Sequence, residues 1–523
     1  MKIVGYHIGD KPVANSKGWY YDGDNPVTWL TNQGKPDEIA VLYHLDWAAA
    51  KLCKMIGMTD WQGKKLLDKG RVYVTPWTIK YIPGRFLSID HGFGKWHPRI
   101  IFSNAHQYRY SPTTPDKDIG HTIDRAKVAQ EVGQEVYDAL TNLNLHPRTL
   151  VSPINAYYKE VLSQFDLPTV DDYPDEAGEW AYQCCKGSWL EAFKRGHWEN
   201  VWDYDLNSAY PSELETALDL RQGGFRKLKE LSEDSYFAYC RCQVEIDTNF
   251  HPILYENRNG ESYIPVGRWE CFLTRNEIIY LRKHKQKVEI LESWQWFPMV
   301  SLGKLELPLY DIIISLQKKA QQTNGLKREV IKRIMTGIYG MTIQYKGIEQ
   351  EMGPLFNPVW AAEAETNTRL RVAEFCHMNS IMPIYIAVDG VIVDREIPLN
   401  DPSWRLSHVG SALVFNSGTV AMDTKHGSGD FSLDYNELVS FMRENPEATS
   451  YTMKKVSPMT VARALALNRW SEVGDLVESE RTIDFGYENK RCWPEIRNTA
   501  KEIMEDTPVE SIPWDISLVG GIV

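Results

Sequence analysis

The sequence predicts an α+β protein of several structural units, on three observations. Its 523 residues exceed one ordinary domain and suggest three or four units. With 43% hydrophobic and 12% aromatic residues it can bury substantial cores, which excludes disorder over most of its length. Along the chain a mixed α/β front gives way to strands, then a helical pair, then strands again, and that order suits an α+β body with an inserted helical module.

The elements follow from local pattern. Residues 39–57 (IAVLYHLDWAAAKLCKMIG) read as a strand running into a helix, and RVYVTPWTIKYI (71–82) and RIIFSNA (99–105) as further strands. Helical periodicity returns over 124–143. The Pro- and Asp-rich stretch 166–179 is the best linker candidate. Strands follow around VWDYDLNSAY, YFAYCRCQVEI and KVEILESWQW. Two helical stretches over 305–340 are broken at Gln322-Thr323-Asn324-Gly325, a long helix covers 360–378, and a short apolar strand runs through PIYIAVDGVIV. Six prolines punctuate the mixed C-terminal 90 residues. No internal repeat or low-complexity tract is present.

The net charge is −12, from 58 basic and 70 acidic residues, which argues against a basic coat. A locally basic channel remains compatible with it, so charge alone leaves a protein for small acidic ligands level with a nucleic-acid enzyme. The eight cysteines form no C-x-x-C pair, which makes zinc improbable and points to reduced thiols in a cytosol-like compartment. The start, MKIVGYHIGD, is unlike a signal peptide, and no stretch approaches a membrane span. These features predict a soluble intracellular protein.

Three segments carry candidate chemistry. Asp205-Leu206-Asn207-Ser208-Ala209-Tyr210-Pro211-Ser212 follows a strand start at Val201-Trp202. A carboxylate at a strand end, with a backbone carbonyl beside it, offers hard oxygens to a divalent cation. An Asp before a turn is, taken alone, more often a turn or cap residue. The second segment runs from Lys327 to Gly340. Arg328 and Lys332 share one helix face and could neutralise a triphosphate, while Ile331, Ile334 and Met335 form the apolar stripe. A solvated basic face is the commoner outcome of such a pattern. In the third, Ile384 to Asp394, Asp389 interrupts an apolar β-branched run, where a carboxylate is costly unless paired or metal-bound. Asp389-Gly390 also reads as a hairpin turn, and a hairpin whose tip presents the acid satisfies both readings.

In order and type these segments resemble the three polymerase motifs of family B DNA polymerases. The first resembles motif A, D-x-x-S-L-Y-P-S, with Ala209 in place of Leu. The second resembles motif B, K-x-x-x-N-S-x-Y-G, from Lys332 to Tyr339-Gly340. The third resembles motif C, Y-x-D-T-D-S, from Tyr385. They are separated by 127 residues (205 to 332) and 57 residues (332 to 389), and the resemblance covers roughly 180–400. Its closest flavour is that of phage and other protein-primed members, because the stretch from Ala181-Tyr182 to Arg195-Gly196 sits where their template-binding Y-x-G-G element lies.

The resemblance implies a polymerase right hand, with palm, fingers and thumb, behind an N-terminal RNase H-like α/β domain. Residues 1–165 would form a degenerate exonuclease-like domain, and 180–304 the first part of the palm, with motif A and room for an insertion. Residues 305–340 would form the fingers with motif B, 341–430 the rest of the palm with motif C, and 431–523 the thumb and C-terminal region. Asp205 and Asp389 would each bridge two Mg²⁺ ions (Mn²⁺ being the alternative), one activating the primer 3′-hydroxyl and one holding the triphosphate. The Leu206 carbonyl would complete a metal's shell, and Lys332, aided by Arg328, would neutralise phosphates. Tyr210 would block a 2′-hydroxyl, and Tyr339 and Gly340 would line the base-pair pocket. Tyr182, Lys186 and Gly187 would contact template. The implied partners are primer–template DNA and deoxynucleotides, with a priming protein or accessory factors as further candidates and no membrane. The implied place is the bacterial or host-cell cytoplasm, associated with the nucleoid.

Several positions depart from the family. Thr336 and Gly337 replace Asn-Ser in motif B, and Ala387 and Gly390 replace the first acid and the Ser of motif C. Tyr182-Gln183-Cys184-Cys185 departs from Y-x-G-G, with Lys186-Gly187 standing in for part of it. No clean K-x-Y primer grip is present; Lys425, Lys454 and Lys455 are candidates. The family's proofreading domain needs a D-x-E, an N-x-x-F-D and a Y-x-x-x-D to hold two metals. Here Lys2 to Tyr6 carries no D-x-E, and Asp22-Gly23-Asp24 reads as a turn. His44-Leu45-Asp46-Trp47-Ala48 has Ala48 where an acid belongs, and Gly120 to Asp124 lacks the Tyr. The front then reads as that fold emptied of its metal site, against an unrelated α/β domain. The expected activity is template-directed DNA synthesis without proofreading. The rival of another class is a catalytically silent, polymerase-like nucleic-acid-binding protein; a polymerase using ribonucleotides is opposed by Tyr210.

Overall fold

The computed structural model describes residues 1–8, 13–21, 26–35, 37–91, 99–105, 122–214, 217–301, 303, 305–346, 351–423, 434–486, 490–494, 498–505 and 509–519. Asp22-Gly23-Asp24, Gly120 and Lys425 lie outside the described residues, as do the side chains of Asp124 and Lys455.

The front unit is built from β1 (Lys2–Ile8), β2 (Val13–Asn15), β3 (Tyr20–Tyr21), β4 (Glu38–Leu42), β5 (Arg71–Val74), β6 (Trp77–Ile82), β7 (Phe86–His91) and β8 (Arg99–Asn104). They form one sheet in the order β3-β2-β1-β4-β8-β7-β6-β5. Its centre, β1, β4 and β8, is parallel, and the flanking pairs are antiparallel. The stretch 71–82 is therefore a hairpin of two strands, turning at Thr75-Pro76. Helices α1 (Pro26–Gln33), α2 (Leu45–Met55), α3 (Asp60–Lys69) and α4 (Thr122–Thr141) accompany the sheet. The last lies directly on β1, at Gly5: a Cβ there would sit 1.8 Å from the Ala126 carbonyl oxygen, so only glycine allows the approach.

Helices α5 (Pro153–Glu160) and α6 (Asp175–Cys184) lead away from the front unit. The stretch expected to be a linker is a packed segment. Leu167 and Tyr173 are buried within it, and Asp175 and Glu176 open α6, where carboxylates favour the helix dipole.

Next, β9 (Leu190–Ala192) and the long β10 (Lys194–Leu206) lead to α7 (Ala209–Leu214). A separate sheet follows, from β11 (Gly223–Leu228), β12 (Phe237–Ile246), β13 (Gly267–Thr274) and β14 (Lys287–Pro298), in the order β11-β14-β12-β13, with α8 (Arg275–Lys283) between its last two strands. The helical pair is α9 (Leu309–Gln321) and α10 (Gly325–Thr342), and the expected break falls between them.

Helix α11 (Pro358–Met378) is buried over most of its surface, through residues such as Val359, Ala362, Ala364, Thr368, Val372 and Phe375, and leaves one partly exposed stripe at Glu363, Asn367, Arg371 and Glu374. It leads to β15 (Tyr385–Ala387), β16 (Gly390–Val393), β17 (Trp404–Asn416) and β18 (Thr419–Met422). With β9 and β10 these form the central antiparallel sheet, ordered β18-β17-β10-β16-β15-β9, and Val509–Glu510 pairs with the start of β10. One core joins Tyr204, Ile386 and Val391 of this sheet to Val372 and Cys376 of α11 and to Cys240, Val244 and Leu273 of the separate sheet.

The C-terminal part comprises α12 (Tyr435–Glu444) and a hairpin of β19 (Ser450–Pro458) and β20 (Leu476–Asp484), whose tip contains α13 (Val461–Ala466). That tip is docked on the front unit. Met459, Val461, Ala464 and Val473 share a core with Ala49, Leu52 and Leu66. The Trp470 indole donates to the Met58 carbonyl at 2.8 Å, and the Trp47 indole to the Gly474 carbonyl at 3.0 Å. Among the described residues no helix is long and apolar enough to cross a membrane.

Candidate active site

Asp205 ends β10 at the middle of the central sheet, opposite Gly390 of β16 on one side and Arg405 of β17 on the other. Its carboxylate accepts from the Arg405 guanidinium at 3.1 Å. A Cβ on Gly390 would stand 3.0 Å from Asp205 Oδ1, so glycine at the position of the motif C serine leaves room for that carboxylate. Asp389 lies in the two-residue turn between β15 and β16, one position before Gly390. The Leu206 N–H donates to the Asp389 carbonyl oxygen at 2.9 Å. Main-chain pairing thus brings Asp205, Leu206 and Asp389 together, as the hairpin reading requires.

Both turns carry backbone strain. Val388 has φ +64° and Ser208 φ +53°, a region that residues other than glycine enter at a cost of about 1–3 kcal/mol, the β-branched Val388 most of all. The Val388 N–H is held by the Trp189 carbonyl at 2.7 Å, and the Ser208 carbonyl accepts from Ser212 N–H at 2.8 Å. Strained turns held by fixed neighbours keep a functional group in one place.

Tyr210, on α7, stacks face to face on Tyr339 of α10, with ring centroids 4.4 Å apart and planes 11° from parallel. Its hydroxyl meets the Ser188 hydroxyl at 2.9 Å, and burial raises its pKa. The Tyr339 hydroxyl donates to Glu365 at 2.6 Å. Burial and the Glu365 carboxylate push the Tyr339 phenol well above its ordinary range, so it stays protonated and is the donor.

Lys332 and Arg328 stand exposed on α10, on the face that continues through Thr336 to Tyr339, and neither pairs with an acid among the described residues. Arg333 is paired with Glu329 at 3.2 Å. Gly340 has open space where a Cβ would be. Gly337 does the opposite: a Cβ there would lie 2.8 Å from the Ile154 Cβ, so its missing side chain admits α5.

Of the expected template contacts, Tyr182 shows its ring to solvent beside Tyr345 and Phe356. Lys186 turns inward, its ammonium donating to the Phe272 carbonyl at 2.6 Å. Gly187 has φ +80°; its N–H donates to Glu365 at 2.9 Å and its carbonyl accepts from Arg369 at 2.8 Å. Lys186 and Gly187 are thus held in the scaffold through their polar groups. Glu365, Arg369, Ser188 and Arg405 are the site residues that sequence reasoning missed, and no local pattern marks them.

Elsewhere, Lys454 is an exposed partner of Glu478 at 3.2 Å and Glu480 at 3.5 Å. In the front unit the Asp46 carboxylate accepts from the Tyr81 hydroxyl at 2.7 Å and the Gly84 N–H at 2.6 Å. His44 caps α2 through Nδ1, and Ala48 is buried. Among the described residues no group of three or more His, Cys, Asp or Glu side chains is gathered as a metal cage.

No protein-family model matches the sequence, and no curated protein matches it. Solved structures do match. The ternary complex of phi29 DNA polymerase with primer-template DNA and incoming nucleotide substrates aligns with 92% of this chain and 99% of its own, at TM-score 0.59 and 12% identity. The binary complex with primer-template DNA aligns with 92% and 100%, at TM-score 0.60 and 12% identity. The complex with single-stranded DNA gives 92% and 100%, TM-score 0.58 and 13% identity. The chain has the fold of phi29 DNA polymerase. That is the right-hand polymerase fold with an N-terminal exonuclease-type domain, as the family B resemblance implied.

Proposed function

We propose that this protein is a template-directed DNA polymerase that transfers deoxynucleotides to a primer 3′-hydroxyl and does not proofread. The observation that carries the reading is the pairing of Asp205 with Gly390 and of the Leu206 N–H with the Asp389 carbonyl, inside a chain that shares its fold with phi29 DNA polymerase along 92% of its length. The central sheet with α7 and α11 then serves as palm, α9 and α10 as fingers, and the β19–β20 hairpin as thumb.

Two carboxylates without a third suit Mg²⁺ at such a site, because Mg²⁺ is usually bound by one or two carboxylates together with substrate phosphates. Asp205, Asp389 and the Leu206 carbonyl would hold two such ions, which would supply activation of the primer hydroxyl and neutralisation of charge on the triphosphate. Arg405, within 3.1 Å of Asp205, orients that carboxylate. Lys332 and Arg328, which pair with no acid among the described residues, meet the incoming phosphates with their positive charge. Tyr210, stacked on Tyr339, excludes the 2′-hydroxyl of a ribonucleotide. The described part of the front domain supports loss of proofreading, since Asp46 is engaged by Tyr81 and Gly84.

The substrates follow the same reading: primer–template DNA and deoxynucleotides, with a priming protein as a further partner. All eight cysteines are free thiols, which fits a reducing cytoplasm. The test is primer extension by the purified protein with Mg²⁺ and labelled primer–template. Template-directed addition of deoxynucleotides supports the reading, and DNA binding without addition points to the catalytically silent alternative.

A further inference from the structure

Glu365 is a buried acid on α11, 4% exposed, in the stretch that the sequence marks only as a long helix. Its two oxygens serve separate elements. Oε1 accepts the Tyr339 hydroxyl of α10 at 2.6 Å, and Oε2 accepts the Gly187 N–H at 2.9 Å. Arg369, one turn later and 2% exposed, stands 3.8 Å from Oε2. Its guanidinium also donates to the Gly187 carbonyl at 2.8 Å and to the buried Glu277 at 3.1 Å. Glu277 is fixed in turn, because it closes the capping box with Thr274 at the start of α8.

A buried carboxylate is tolerated when it is paired and its lone pairs are filled, and Glu365 meets both conditions. An O–H···O⁻ bond of this length is among the stronger protein hydrogen bonds. The Tyr339 hydroxyl end therefore cannot swing away without breaking it. Tyr210 rests on that ring at 4.4 Å, packs at the edge of the core, and is held at its hydroxyl by the exposed Ser188. The Tyr339 face on which Tyr210 rests is thus held through its hydroxyl by a buried residue of α11.

We propose that Glu365, oriented by Arg369, is a positioning residue for sugar selection: it fixes Tyr339 and, through the ring stack, holds Tyr210 where a 2′-hydroxyl would collide. The inference rests on the polymerase reading and adds to it a determinant on α11, outside the three motifs. Freed from Glu365, Tyr339 gains room to tilt. Tyr210 then follows, and the space closed to ribonucleotides opens.

The test compares primer extension with ribonucleotides and deoxynucleotides for the parent, Glu365→Ala, Glu365→Gln and Tyr339→Phe. The ratio of the two kcat/KM values is independent of how much of each preparation is folded, so a merely structural defect leaves it unmoved. Glu365→Ala should raise relative ribonucleotide use about tenfold, the scale of one lost charge-assisted hydrogen bond. Glu365→Gln, which can still accept from the phenol, should raise it less. Tyr339→Phe removes the hydroxyl and keeps the ring, and should raise the ratio as Glu365→Ala does. If Tyr339→Phe keeps the parent's ratio, the hydroxyl bond is not the link and the inference fails, even where Glu365→Ala does not fold. A parent that extends with both kinds of nucleotide equally well also overturns it. A parent that extends with neither overturns the polymerase reading itself.

Discussion

The N–H of Leu206 donates to the carbonyl oxygen of Asp389 at 2.9 Å, so the end of β10 and the β15–β16 turn are joined by main chain. The two acids are therefore brought together by sheet register. Replacing either carboxylate by an amide should leave the sheet register intact.

Among the described residues no acid pairs with Lys332, which leaves its charge to meet a ligand. Lys332→Ala should weaken nucleotide binding far more than primer–template binding. A charged hydrogen bond to phosphate is worth roughly 1.5–3 kcal/mol, which predicts about a 10- to 150-fold rise in the apparent KM for deoxynucleotides. Steady-state extension and a separate DNA-binding titration measure the two effects, and an unchanged KM would mean that the lysine faces solvent or DNA.

Gly337 replaces a motif B serine because α5 crosses α10 there, with Ile154 Cβ at 2.8 Å from the position of a Cβ. Gly337→Val should destabilise the protein by about 1–3 kcal/mol through overpacking. Urea unfolding reads this directly. A variant as stable as the parent would show that α5 can move off α10 freely.

Glu363, a neighbour of Glu365 on α11, has its carboxyl pushed up to about 8 by burial, against a hydrogen bond from Tyr239, with Glu277 and Glu213 adding to the rise. Between the ordinary value of 4.5 and that raised value the folded state keeps a proton that the unfolded chain has lost. Its contribution to stability therefore falls as pH rises through this window, and levels off above it. Glu363→Gln should raise Tm relative to the parent at about pH 8.5 and change it little at about pH 4. An equal shift at both pH values would place the group in water.

The front domain should release no nucleotides from a 3′-labelled single strand with Mg²⁺ or Mn²⁺. Asp46→Ala should instead cost stability, on the order of 1–3 kcal/mol, because it strips an acceptor from the Tyr81 hydroxyl and the Gly84 N–H. Shortening that survives Asp205→Asn and vanishes on Asp46→Ala would reveal a working nuclease.

Much of this site was legible because its signals are local. An Asp-Gly in a β-branched run predicts a hairpin with the acid at its tip, and the structure has that hairpin. The Gln322 to Gly325 break between α9 and α10 was legible for the same reason. The rest depends on contacts distant in sequence. Glu365 and Gly187 meet across 178 residues, and Arg405 and Asp205 across 200. Neither pair has a spacing that any helix or strand period would produce. The linker reading failed because proline and acids also start helices, as at Asp175, and because Leu167 and Tyr173 found buried places. Gly337 looked like a defect in motif B, since a sequence cannot show which helix will cross it.

The most direct measurement is incorporation of labelled deoxynucleotides on a defined primer–template by the parent, Asp205→Asn and Asp389→Asn, with DNA binding followed on the same preparations. The account predicts template-directed extension by the parent with Mg²⁺ or Mn²⁺. It predicts loss of extension to background in both variants, while DNA binding and thermal stability are kept. Extension that persists in Asp389→Asn would contradict it, as would a parent that binds DNA yet adds no nucleotide to any primer with either metal.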